Sequence, residues 1–195
     1  AGAYAETFRK RDDILVGHVV GRTTESASAF ASKYGLKCPC SNDLSAALKD
    51  PAIDLVGVFT PHHVHAEVVL AAARAGKHLI IEKPVCLTPE DLRAMRTAVR
   101  DTGVKTIVGF VLRWNPLLKI IRSSIVDGRL GRIIFAETDY LHGIVAKAYT
   151  KPWHMTRATA GTSFLIGGCH AIDAIRFLVG RPVIEVSAYS TSRTD

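Results

Sequence analysis

A chain of 195 residues, 48% hydrophobic and 22% charged, has the composition of a globular protein with room for one large or two small domains. Its formal net charge of +7 comes from basic residues that are scattered and often followed by acids, as in "FRKRDD" and "TPEDLRAMR". No basic tract or aromatic-basic ladder argues for nucleic acid, and the positive field favours an anionic ligand.

Cys38, Cys40, Cys86 and Cys169 follow neither a disulfide framework nor the CxxC spacing of zinc sites. We read no apolar run as long enough to span a membrane and no secretory leader at the start, so a soluble cytoplasmic protein with reduced thiols is expected.

In chain order, "AGAYAETFRKR" reads as a helix, "ILVGHVV" as a strand and "TESASAFASKYG" as a helix closed by Gly35. "NDLSAALKD" is a short helix, and "IDLVGVFT" is apolar on both faces, as buried parallel strands are. "VHAEVVLAAARAG" is an Ala-rich helix stopped by Gly76, followed by the strand "KHLIIEK". "TPEDLRAMRTAVRDTG" has Thr88 as N-cap and Pro89 at its first position, and "VKTIVGF" is the next strand. The alternation predicts an α/β domain with a parallel sheet over residues 1–111.

Beyond it, "PLLKIIRSSIVDGRLG" reads as an amphipathic helix stopped by Gly128. "RIIFAETDYLHG" alternates like a half-exposed antiparallel strand, "FLIGGCHAIDAIRFLVG" is helical, and "VIEVSAYS" is a further strand. These predict an α+β domain over residues 112–195 with a mostly antiparallel sheet.

Ligands of open α/β sheets sit outside the carboxyl ends of the strands. Here those ends carry Gly21, Arg22 and Thr23, then Thr60, Pro61, His62, His63 and His65, then Glu82, Lys83 and Pro84. Charged groups ending an apolar strand are costly to desolvate without a partner or a task. Lys83, an ion at the end of an apolar strand, is thereby a candidate site residue. Three imidazoles at 62, 63 and 65 invite a zinc reading, but no cysteine or carboxylate stands at a supporting spacing, and no metal is expected.

"TPHHVHAEVVLAAARAGKHLIIEKPVCLT" together with "GGCHAIDAIRFL" resembles the Gfo/Idh/MocA oxidoreductases, the glucose-fructose oxidoreductase and inositol dehydrogenase family. The resemblance implies a Rossmann domain followed by an antiparallel-sheet domain, NAD or NADP as cofactor, and a sugar or polyol secondary alcohol or carbonyl as substrate. It implies Lys83 and His170 as the proton-handling residues and homo-oligomers formed through the second-domain sheet. It places Gly21, Arg22, Thr23, Thr60, Pro61, His62, His65, Glu82, Lys83 and Arg113 at the cofactor, and Lys83, Trp153, His154, His170 and Asp173 at the substrate. Asp173, three residues after His170, shares its helix face and is expected to orient the imidazole. Ile166 stands where the family often has an Asp, leaving its usual trio incomplete.

Gly21 stands where NAD binders carry an acid for the ribose hydroxyls, and Arg22 and Thr23 suit a 2′-phosphate, which favours NADP. The Gly-rich loop of the family is absent, so the chain reads as an interior portion starting in the helix that would follow it. A non-catalytic dinucleotide-binding sensor or repressor and an NAD-dependent glycosidase are the alternatives.

Overall fold

The computed structural model describes residues 1–141, 152–154 and 156–189. The chain divides into two compact units, the first made of Ala1–Gly109 with Lys151–Gly161 and the second of Phe110–Thr150 with Thr162–Asp195. The segment around Trp153 and Ala160 therefore returns to the first unit.

In the first unit α1 (Gly2–Phe8) and β1 (Val19–Val20) lead into α2 (Thr24–Tyr34), then β2 (Cys40–Ser41), α3 (Leu44–Lys49) and β3 (Leu55–Val58). They are followed by α4 (His65–Arg74), β4 (His78–Ile81), α5 (Pro89–Thr102) and β5 (Thr106–Val108), with the short α7 (Arg157–Ala160) added from the returning segment. Local chemistry sets most of these limits. The Thr88 hydroxyl accepts the Asp91 amide at 3.1 Å, Pro89 opens α5, and Gly103 ends it in the left-handed region at φ 69. Asp43 caps α3 by accepting the Ala46 amide at 2.9 Å.

The strands form two parallel sheets, β1 with β2 and β3-β4-β5 with β4 central. The register aligns Val58 with Ile81 and Ile81 with Val108. Thr60, Lys83 and Phe110, each two residues further on, consequently leave the sheet at one edge. The core lies where α4 and α5 cover this sheet: Val58, Val69, Ala72, Ala73, Leu79, Ile81 and Met95 are buried. Alanines on the inner face of α4 allow close packing on the strands, and each large apolar side chain buried contributes about 1.5–3 kcal/mol.

Two expectations for this unit are corrected. Residues 40–41, not expected to be a strand, form β2, and of "ILVGHVV" only Val19–Val20 finds a ladder partner, because β2 is itself two residues long.

The second unit contains α6 (Pro116–Val126), capped by Asn115 through the Leu117 amide at 2.9 Å, and α8 (Cys169–Val179), preceded by a π-helical turn at Phe164–Gly168. Arg122 fastens α6 to α8 by donating to the Leu178 carbonyl at 2.8 Å. Gly180 allows it: at φ 66 it ends α8, and a Cβ there would lie 2.7 Å from the Arg122 guanidinium. The two expected strands do not appear as such, since residues 132–141 and 183–189 have no ladder pairing among the described residues. Alternating side chains give a segment two faces, but a strand exists only when its N–H and C=O groups find a partner. The remainder of both segments, residues 142–143 and 190, lies outside the described residues.

The membrane expectation is also corrected: residues 157–179 are long and apolar enough to cross a membrane by length and composition. Their path is broken at Gly161, at φ 86 and ψ −152, and α8 carries Asp173 in an ion pair with Arg113.

Candidate active site

At the carboxyl edge of the β3-β4-β5 sheet, Lys83 is half-buried and directly follows Glu82. A Glu82 oxygen accepts the Lys83 amide at 3.0 Å, which holds the backbone as it leaves β4. The other end of this cluster was not foreseen: Tyr4 of α1 lies beside Glu82, and burial, then the Glu82 charge, push the Tyr4 hydroxyl above its ordinary pKa. Gly109 makes room for it, since a Cβ there would lie 3.3 Å from Glu82 Oε1 and 3.2 Å from the Tyr4 oxygen. The Lys83-Pro84 peptide is cis.

The turn after β3 is a short 3-10 helix over His62–Val64, with the Pro61 carbonyl accepting the Val64 amide at 3.0 Å. Its imidazoles have different surroundings. His62 Nδ1 donates to the Ala160 carbonyl at 2.9 Å, so in the neutral ring Nε2 is left as an acceptor. Burial pushes the His62 imidazole below its ordinary range; the Ala160 bond opposes this, and His65, Lys83 and His154 nearby add to it. The Trp153 ring stands edge-on to His62 at 4.9 Å and against His154 at 3.8 Å. The first unit thus gathers Lys83, His62, Trp153 and His154. His63 is exposed and faces the Thr159 carbonyl at 3.3 Å.

His65 departs from the expectation that it lines the cofactor. It is fully buried, with Nδ1 2.9 Å from the Pro84 carbonyl and Nε2 2.9 Å from the Thr60 carbonyl, so both polar edges of the ring are turned into the protein. Thr60 Oγ1, by contrast, is buried with no hydrogen-bond partner among the described residues.

At the end of β1, the Gly21 amide bonds the Ser41 carbonyl at 2.9 Å, and a Cβ on Gly21 would come within 2.8 Å of Ser26 Oγ and 3.0 Å of the Ala27 amide. Only glycine passes this close to the first turn of α2. Thr23 caps that helix, in a box with Ser26 whose amide it accepts at 3.2 Å, while Arg22 is exposed beside it.

In the second unit His170 is buried near the start of α8, its ring perpendicular to Phe110 at 6.3 Å and 5.2 Å from Tyr140. Asp173 does not orient it. Both Asp173 oxygens are taken by Arg113, Oδ2 by Nε at 2.8 Å and Oδ1 by Nη2 at 2.6 Å. The planar guanidinium matches a carboxylate at two points, which an imidazole one turn away cannot do. The Asp173 bonds raise the Arg113 pKa above its ordinary value, outweighing the opposing effect of burial. Ile166 sits in the π-helical turn before His170.

Among the described residues, no three His, Cys, Asp or Glu side chains are grouped to hold a metal ion. Cys38, Cys40, Cys86 and Cys169 are free thiols, and burial, then Cys40, push the Cys38 thiol up.

A parallel sheet with a glycine turn entering a helix at one strand end, and polar side chains at the others, has the form of a Rossmann-type nucleotide-binding domain. Residues 2–110 match the oxidoreductase family with NAD-binding Rossmann fold, and residues 118–195 match its C-terminal domain. The chain belongs to the Gfo/Idh/MocA family. It is 36% identical to levoglucosan dehydrogenase of Pseudarthrobacter phenanthrenivorans over 80% of this chain and 40% of that protein. It is 33% identical to 1,5-anhydro-D-fructose reductase of Ensifer adhaerens over 90% of this chain and 53% of that one. A solved levoglucosan dehydrogenase in complex with NADH and levoglucosan superposes with a TM-score of 0.78 at 34% identity, covering 86% of this chain and 45% of that one. An oxidoreductase domain protein from Kribbella flavida gives 0.82 at 29% identity, covering 92% and 51%. The chain spans about half the length, or less, of these relatives.

Proposed function

We propose that this chain carries the working residues of an NAD(P)-dependent oxidoreductase that interconverts a secondary alcohol and a carbonyl on a sugar-like or polyol substrate. The observation that carries the reading is Lys83, which leaves the central strand β4 at the sheet's carboxyl edge with its amide held by Glu82, in the same unit as His62, Trp153 and His154. Relatives named for levoglucosan, anhydrofructose and inositol support the substrate class.

The residues present fit a nicotinamide dinucleotide. Gly21 lets the chain pass the first turn of α2 more closely than a side chain would permit, and the buried Thr60 hydroxyl at the end of β3 lacks a protein partner among the described residues. Gly21, Arg22, Thr60, Pro61 and His62 would hold the cofactor, with Arg22 favouring NADP by pairing with a 2′-phosphate. When bound, the nicotinamide supplies the hydride acceptor or donor. The Lys83 ammonium donates a hydrogen bond to the substrate hydroxyl, orients it, and stabilises the negative charge that grows on oxygen. His170 accepts the hydroxyl proton in oxidation and returns it in reduction. Trp153 and His154 border the sugar, and Arg113 and Asp173 hold one another at the start of the second domain.

We assign residues 1–111 to the cofactor domain and 112–195 to a substrate domain with a mostly antiparallel sheet, to which the alternating segments 132–141 and 183–189 would contribute. That sheet would pair copies into a homo-oligomer, and the cytoplasm suits the free thiols.

Lys83→Met tests the reading. Screened against sugars and polyols by nicotinamide absorbance, the wild-type chain should turn over, and the variant should lose activity while its dinucleotide affinity stays within about tenfold, or 1.4 kcal/mol. Retention of most of kcat would remove Lys83 from the chemistry. Dinucleotide binding without turnover on any substrate would favour the non-catalytic sensor.

A further inference from the structure

We propose that His65 is a positioning residue for Lys83, a ring that ties the turn after β3 to the turn after β4 from beneath the site. The inference rests on the reading of Lys83 given above. His65 opens α4, yet its ring is 0% exposed and lies on the inner face of that helix with Val68, Val69 and Ala72. A polar ring in this place needs partners. Two carbonyls are within reach, that of Pro84, the residue after Lys83, from Nδ1 and that of Thr60 from Nε2, both at 2.9 Å.

Lys83 is thereby held on both sides. Its own amide is fixed by Glu82 at 3.0 Å, and the carbonyl of the next residue is fixed by His65. The same ring stands 2.9 Å from the Thr60 carbonyl, so it spans the ends of two adjacent strands. Both nitrogens face carbonyls of the protein, and the ring stands edge-on to His62 at 5.7 Å. Both carbonyls can only accept, and a neutral ring donates from one nitrogen. The Pro84 bond adjoins Lys83 and is the one on which the positioning depends.

The two bonds can be separated, because an Asn amide reaches the place of Nδ1 and a Gln amide the place of Nε2. His65→Phe, which keeps a ring without donors, should lower kcat about a hundredfold, the cost of an ångström of misplacement. His65→Asn should recover more of the lost rate than His65→Gln. Without any ligand, hydrogen exchange of the Lys83 amide should be faster in His65→Phe than in the wild type and restored in His65→Asn. Unchanged kcat and unchanged exchange in His65→Phe would overturn the inference, as would equal recovery by Gln and Asn. Should the wild type turn over no sugar or polyol, the proposed function fails, and the exchange comparison still decides whether His65 holds the turn.

Discussion

The pair between Arg113 and Asp173 predicts an asymmetry in stability. Two short hydrogen bonds join them, at 2.8 and 2.6 Å, but the partners differ in surroundings: the Asp173 side chain is 8% exposed and that of Arg113 45%. Arg113→Met removes the guanidinium and leaves a buried carboxylate without its partner, a loss of about 3–5 kcal/mol when both members are buried. Water reaching the vacated Arg113 position reduces this to about 2–3 kcal/mol. Asp173→Asn leaves a guanidinium that water already reaches and an amide that still accepts one bond, so about 1 kcal/mol is expected. Arg113 also lies over the Phe177 ring at 5.6 Å, and only the first variant removes that attraction between cation and ring.

The double variant Arg113→Met with Asp173→Leu should return to within about 1 kcal/mol of the wild type, because two apolar groups of similar shape leave no orphaned charge. Urea unfolding of the full chain, followed by far-ultraviolet circular dichroism and by Trp114 fluorescence beside Arg113, would give the four corners of the cycle. If Asp173→Asn costs as much as Arg113→Met, the burial asymmetry is not what governs the pair.

Arg22→Ala should weaken NADP far more than NAD, since only the former loses a charge-assisted phosphate bond; calorimetric titration with both dinucleotides checks it, and equal losses would refute the assignment. His62 carries a pH dependence: its folded-state pKa lies below the ordinary 6.5, chiefly through burial, so its contribution to stability is present above about pH 6.5 and is lost as pH falls through the lower folded value. His62→Gln should remove that part of the decline in unfolding free energy between neutral and mildly acid pH, and an unchanged slope would mean that the imidazole is not held neutral.

How far the sequence could be read depended on whether the relevant partner was local. The α5 helix was legible at both ends because Thr88, Pro89 and Gly103 act within a turn of their own positions. The sheet edge was legible for a related reason: parallel register brings the residues after β3, β4 and β5 together once each strand is recognised. The burial of His65 was also there to be found, since 65, 68, 69 and 72 are spaced i, i+3, i+4 and i+7, and the imidazole heads the buried stripe of α4. Its destination was not, because the Pro84 carbonyl bears no side-chain signature. Asp173 shows the limit most clearly. Helical spacing correctly placed it near His170, but spacing gives neighbours on one helix and says nothing of a guanidinium sixty positions earlier that offers two parallel donors. The same holds for residues 132–141 and 183–189, whose alternation specifies two faces while leaving the ladder partner unspecified. A role assigned from helix spacing is therefore secure only after the strongest long-range competitor for that side chain has been placed, and for Asp173 that competitor is Arg113.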